Sequence, residues 1–156
     1  MVRVMFICHG NICRSPMAEF VFRDMVEKKG LASSFFIASS ATSTEEIGNP
    51  VHPGTRKKLR DYGIDTSGKY AVQLRYSDYQ NYDYLIVMDE YNMINITRII
   101  PSDPQQKIHK LLDFTQRGGD IADPWYTGNF DVTYDDVYEG CTCLLEHILH
   151  HDAALL

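Results

Sequence analysis

Val2-Arg-Val-Met-Phe-Ile7 runs directly into Cys8-His-Gly-Asn-Ile-Cys-Arg-Ser-Pro16. The first run is β-branched and aromatic with a single charge, the composition of a short buried strand. The second is small and polar and ends on Ser15-Pro16, which reads as a helix N-cap followed by proline at the first helical position. Met17, Phe20, Val21 and Met25 then recur at helical spacing until Gly30 supplies a stop. A strand, a tight loop and a helix are thus written into the start of the chain.

The same punctuation continues outward. A strand is expected at Phe35 to Ser39, a helix at Thr55 to Tyr62 closed by Gly63, a strand at Tyr84 to Met88 and a helix from Glu90 to Arg98. Lys107 to Leu112 reads as a last strand, and Gly118-Gly119 to Gly128 as a long loop. From Asp131 onward, Tyr134, Val137, Tyr138, Cys141, Leu144, Leu145 and Ile148 form one apolar stripe, so a terminal helix carries Cys141 and Cys143. Alternating strands and helices imply an α/β fold with parallel pairing through right-handed crossovers. Ligands are then expected at the carboxyl ends of the strands, and the Cys8 loop is such an end.

Composition narrows the partners. The 156 residues suit one domain spanning 1–156, and no apolar run is long enough for a membrane-spanning helix. Fifteen Lys plus Arg against 21 Asp plus Glu give a formal charge of −6, and the longest basic block is Arg56-Lys57-Lys58. Neither nucleic acid nor an anionic membrane is an expected partner, because both need a concentrated positive field. The run Val2 to Ile7 is too short for a signal peptide, so the expected location is cytoplasmic and the four cysteines are expected to be reduced. Cys8, His9, Cys13, Cys141 and Cys143 lack the spacing of a zinc site, so no metal is expected.

The loop carries the chemistry. Backbone N–H groups between a strand end and a helix N-terminus converge on one concavity, where the helix dipole adds about half a positive charge. Arg14, six residues after Cys8, can fold over the same hole and hold two oxygens of a phosphate at once. This field favours a thiolate at Cys8, and hence a nucleophile. Ser15 can offer its hydroxyl to the sulfur, Gly10 allows close backbone approach, and Asn11 tolerates a left-handed conformation. Taken singly, Cys8 reads as a buried small hydrophobe and Arg14 as a surface cation. The full Cys-x₅-Arg-Ser-Pro pattern at a strand-to-helix junction reverses that reading.

The run Cys8 to Pro16 resembles the signature of the low-molecular-weight protein tyrosine phosphatases. The likeness extends to Ile37–Pro50, Met88-Asp89-Glu90, Asp123-Pro124 with its two aromatics, and the helix around Tyr138 to Cys143. The resemblance implies a four-stranded parallel sheet with helices on both faces, and hydrolysis of aryl phosphate monoesters, phosphotyrosine above all, without metal or other cofactor. A phosphotyrosine protein or peptide is then the implied substrate and inorganic phosphate the product. In that scheme Cys8 attacks, and Arg14 binds phosphate with the loop residues His9, Gly10, Asn11, Ile12 and Cys13. Ser15 steadies the sulfur, and Asp123 serves as general acid, then base. Trp125 is the implied aromatic wall beside Tyr126, Asn11 is held through bonds to Ser15 and Ser39, and Asp89 braces the loops or starts a helix.

Some positions stay open or depart from the pattern. Cys13 is near enough in sequence to form a protective disulfide with Cys8, or simply fills space as a buried thiol. Glu45 stands where relatives commonly have an aromatic second wall, and Lys69-Tyr70 where they often have a supporting histidine. A phosphoarginine phosphatase on the same scaffold is the enzymatic alternative. Relatives of that kind carry Thr at the position of Ile12, whose bulk should narrow the pocket for a guanidinium phosphate. A phosphotyrosine-binding module without catalysis is the other alternative, although docking alone needs neither a thiolate nor an acid.

Overall fold

The computed structural model describes residues 1–156. Four strands, β1 (Val2–Cys8), β2 (Phe35–Ala41), β3 (Tyr84–Val87) and β4 (Ile108–Lys110), form one sheet in the order β2-β1-β3-β4. Every pair is parallel, with Cys8 opposite Ala41 and Ile7 opposite Val87. The connecting helices are α1 (Arg14–Lys28), α2 (Pro53–Arg60), α3 (Asp78–Asn81), α4 (Glu90–Ile96), α5 (Pro124–Thr127) and α6 (Phe130–His151).

Alternation along β1 sets the layering. Val2, Val4, Phe6 and Cys8 join the larger core, which takes Met17 and Phe22 from α1 and Val137, Cys141, Leu144 and Ile148 from α6. Met5 and Ile7 join a smaller core on the opposite face with Leu74, Leu85, Val87, Ile96 and Ile100. The sheet is therefore apolar on both sides, as a covered parallel sheet must be. Glycine admits α6 closely: a Cβ at Gly140 would lie 2.5 Å from Leu111. No helix is long and apolar enough to cross a membrane.

Several boundaries differ from the sequence reading for local reasons. α1 starts at Arg14, with Cys13 at the cap position and no side-chain capping bond. Ser15 is therefore not the N-cap and Pro16 is not at the first helical position, because the serine hydroxyl is spent inside the loop. β2 runs on to Ala41, whose N–H and C=O are taken by Val72 and Leu74 at 2.8 Å each. β4 is shorter than expected because Leu111 and Leu112 leave the ladder in a 3₁₀ turn that buries both. α2 starts at Pro53, where His52 Nδ1 accepts from Gly54 N at 3.0 Å. α4 ends at Ile96, α6 starts at Phe130, and the expected long loop contains α5.

Candidate active site

Cys8 ends an interior strand, paired with Ala41 of β2 one step beyond the last pair with β3, Ile7 opposite Val87. The chain then turns sharply through Asn11, which adopts φ 59°. That left-handed conformation costs a non-glycine residue about 1–2 kcal/mol and persists only where neighbours over-determine it. Here they do. Asn11 is fully buried, its Oδ1 accepts from Val72 N at 3.1 Å, and its Nδ2 donates to Ser15 Oγ at 2.7 Å and to Ser39 Oγ at 2.9 Å.

The direction of these bonds follows from Glu19, a carboxylate buried on α1 that can only accept. Ser39 donates to Glu19 Oε1 at 2.5 Å, leaving its oxygen free to accept from Asn11. Asn11 in turn fills a lone pair of Ser15, whose hydroxyl lies 3.0 Å from Cys8 Sγ and 3.4 Å from the Ser40 carbonyl. The backbone N–H of Asn11 reaches the same sulfur at 3.3 Å. The Asn11 amide thus ties two branches together, one running through Ser39 to Glu19 and the other placing the Ser15 hydroxyl against the sulfur.

Arg14 is 2% exposed, an unusual depth for a guanidinium. Burial opposes its charge, but Cys8, Asp89 and Asp123 together more than offset this and raise its pKa above the ordinary arginine value. Its Nη1 donates to Asp89 Oδ2 at 2.6 Å and to the Ile121 carbonyl at 2.8 Å, while Nη2 reaches Asp123 Oδ2 at 3.5 Å. The sequence left Asp89 between a brace and a helix start, and one carboxylate does both: Oδ1 caps α4 by accepting from Asn92 N at 2.8 Å. Asp123 likewise splits its oxygens, with Oδ1 accepting from Trp125 N at 3.0 Å as the N-cap of α5. The remaining oxygen, Oδ2, faces Arg14.

Cys8, Arg14 and Asp123 converge on a cavity of about 110 Å³ that His9, Gly10, Ile12, Cys13, Trp125 and Tyr126 also line. Asn11, Ser15, Ser39 and Asp89 stand behind it as supports. Glu45 and Glu46 complete the rim, where Glu45 Oε2 pairs with His9 Nε2 at 2.9 Å. The aromatics seal less than expected: Trp125 is 57% exposed and Tyr126 is 83% exposed. Trp125 leans edge-on against His52, which stacks on Phe130. Cys13 and Cys8 are both free thiols, and Cys13 packs with Ile12, Ala71 and Phe130. Burial, then the charges of Cys8 and Asp123, push the Cys13 thiol up to about 12.

Sequence reasoning missed three contributors. Glu19 was detectable as a lone acid within the buried Met17-Ala18 and Val21-Phe22 face of α1. His52, between Pro50 and Pro53, carried no signal without its partners. Lys69 stood out only as a departure. Its Nζ donates to the Ser39 carbonyl at 2.9 Å and lies 3.8 Å from Glu19 Oε1. Desolvation lowers its pKa, with Glu19 and Cys8 resisting.

Comparison with known proteins places this geometry. Residues 3–154 match the low molecular weight phosphotyrosine protein phosphatase family. The low molecular weight protein-tyrosine-phosphatase YfkJ of Bacillus subtilis is 40% identical over 95% of this chain and 96% of its own. Its Staphylococcus aureus counterpart PtpA is 37% identical over 96% and 95%. The crystal structure of YfkJ superposes with a TM-score of 0.93 at 39% identity, covering 96% of each chain. That of the Streptococcus pyogenes enzyme SP-PTP gives 0.85 at 38% identity, over 99% of this chain and 97% of that one. A match over nearly the full length, on a chain whose sulfur, guanidinium and carboxylate share one cavity, makes this protein a member of the low molecular weight phosphotyrosine protein phosphatase family.

Proposed function

We propose that the chain hydrolyses phosphotyrosine and related aryl phosphate monoesters through a cysteinyl-phosphate. The observation that carries the reading is the meeting of Cys8, Arg14 and Asp123 in one cavity, with the Ser15 hydroxyl and the Asn11 N–H both within reach of the sulfur. The Cys8 sulfur attacks phosphorus as the P–O bond to the phenol breaks, and Asp123 transfers its proton to the departing oxygen. Arg14 and the loop amides hold the three phosphoryl oxygens, so the charge is met by the protein's own donors. Asp123, now a carboxylate, takes a proton from water as that water attacks phosphorus. The P–S bond breaks, phosphate leaves, and the Ser15 hydroxyl receives the charge on sulfur.

A phosphotyrosine-bearing protein or peptide is the substrate class, in a cytoplasm that keeps the four thiols reduced. Rapid mixing with p-nitrophenyl phosphate tests the scheme through a burst of phenolate followed by slower steady turnover. Cys8→Ser should lose turnover by on the order of 10⁵ while still binding inorganic phosphate. Normal turnover by that variant would refute the covalent route. Ile12 lines the cavity, and its bulk favours a flat phenyl ring over a phosphoguanidinium.

A further inference from the structure

A second cavity, of about 400 Å³, lies between α2 and the 63–70 segment and shares no lining residue with the catalytic one. Its walls include Arg56, Arg60 and Lys69 against a single carboxylate, Asp65. Arg56 and Arg60 are one helical turn apart on the same side of α2, and neither has a carboxylate within 4.0 Å. The Asp65 carboxylate is already taken by the N–H and hydroxyl of Ser67, at 3.0 and 2.7 Å. Thr66, also in the wall, is 3% exposed and its buried hydroxyl has no hydrogen-bond partner. Such an orphan is uncommon in a folded protein. Three cations line the cavity against one carboxylate, with the Lys69 charge shared with Glu19 at 3.8 Å, and in a chain of net charge −6 this excess makes a local site for an anion.

We propose that this cavity binds a phosphorylated or polyphosphate small molecule, and that Lys69 couples its occupancy to the catalytic loop. Arg56 and Arg60 supply forked donors of the kind that grip phosphate oxygens in pairs. Lys69 belongs to both places: it lines the cavity, and its ammonium holds the Ser39 carbonyl beside the buried Glu19. An anion drawing that ammonium outward weakens its hold on Ser39, which positions Asn11 and through it Ser15. Occupancy therefore lowers turnover without blocking substrate. This coupling rests on the phosphatase reading above; the binding site itself does not.

Inorganic pyrophosphate is the probe. In ¹⁵N-labelled protein, titration should shift the amides of residues 64–70 and the Arg56 and Arg60 side-chain N–H groups in a saturable way. Arg56→Ala/Arg60→Ala should abolish those shifts while leaving basal kcat and KM for p-nitrophenyl phosphate unchanged. Pyrophosphate competing at the catalytic cavity raises only KM, whereas the second site should lower kcat at saturating substrate by about fivefold. That fall should vanish in the double variant. Absence of shifts at 64–70, or their persistence in the double variant, overturns the site. Shifts with kcat unmoved overturn the coupling alone. Shifts in a protein that turns over no aryl phosphate leave the site standing and remove the phosphatase reading instead.

Discussion

The two loops that build the catalytic cavity are held in opposite ways. The Cys8 loop is buried, and its Asn11, Ser15 and Ser39 side chains are locked to one another and to Glu19. The Asp123 loop is anchored by the bond between Ile121 O and Arg14, by a turn of the aspartate onto Trp125 N, and by a 3.5 Å approach to Arg14, with both aromatics in solvent. The difference fits the proposed roles of Cys8 as nucleophile and Asp123 as general acid. A nucleophile and its anion cradle gain from a geometry fixed before substrate arrives, since misplacement by about 1 Å can cost 10²-fold. A general acid has to meet a leaving group that arrives with the substrate, and the Asp123 loop, fixed at Ile121 and Ala122 by Met88 and Thr133, leaves its aromatic tip open to it.

Separate substitutions should break each side of this contrast differently. Asp123→Ala should slow esters of weakly acidic phenols by about 10²- to 10⁴-fold and those of strongly acidic phenols little, read as a steepened dependence of kcat on leaving-group pKa. Equal slowing of both would remove the acid role. On the rigid side, Asn11→Ala should lower kcat by about 10- to 100-fold and cost about 2 kcal/mol of stability. Asn11→Gly, which accepts φ 59° without strain, should recover stability better than activity, measured by paired urea melts and kinetics. On the open side, Trp125→Ala should raise KM for phosphotyrosine peptides by about 2- to 10-fold and leave the melting temperature within a degree or so.

A further effect is one of pH. The Cys13 thiol keeps its proton in the folded chain up to about 12, against an ordinary value of 9.0. Between those values the folded state binds a proton that the unfolded state has lost. The stability tied to that proton is complete below pH 9.0 and falls as pH rises toward about 12. Stability curves of the wild type and Cys13→Ala, measured across pH 8.5 to 11.5, should therefore converge as pH rises.

What the sequence made legible divides along the same line as the two loops. The alternation of Val2 to Cys8 and the stripe of Tyr134 to Ile148 announced the sheet and its covering helix, because burial imposes a period that a single chain displays. The cradle was legible because its residues are contiguous. Ser15 misled as a cap because a serine before a proline serves a helix start and a sulfur equally well in one dimension, and only Asn11 and Cys8 across the turn decide which. Glu19, Lys69 and His52 act through partners 20 or more residues away, or through an aromatic stack, and no local spacing encodes those meetings. The exposure of Trp125 was equally invisible, since an aromatic pair after Asp-Pro looks the same whether it seals a wall or stands at a rim.

The central place of β1 has a consequence for biosynthesis. Its neighbours are both parallel, so neither arrives by a simple hairpin, and the second does not exist until residues 84–87 have been made. Arg14 gains its carboxylate at position 89 later still, and Asp123, the proposed proton donor, is translated last of the three. A nascent chain on the ribosome therefore carries Cys8 through more than a hundred further residues of synthesis before Asp123 can join it in one cavity.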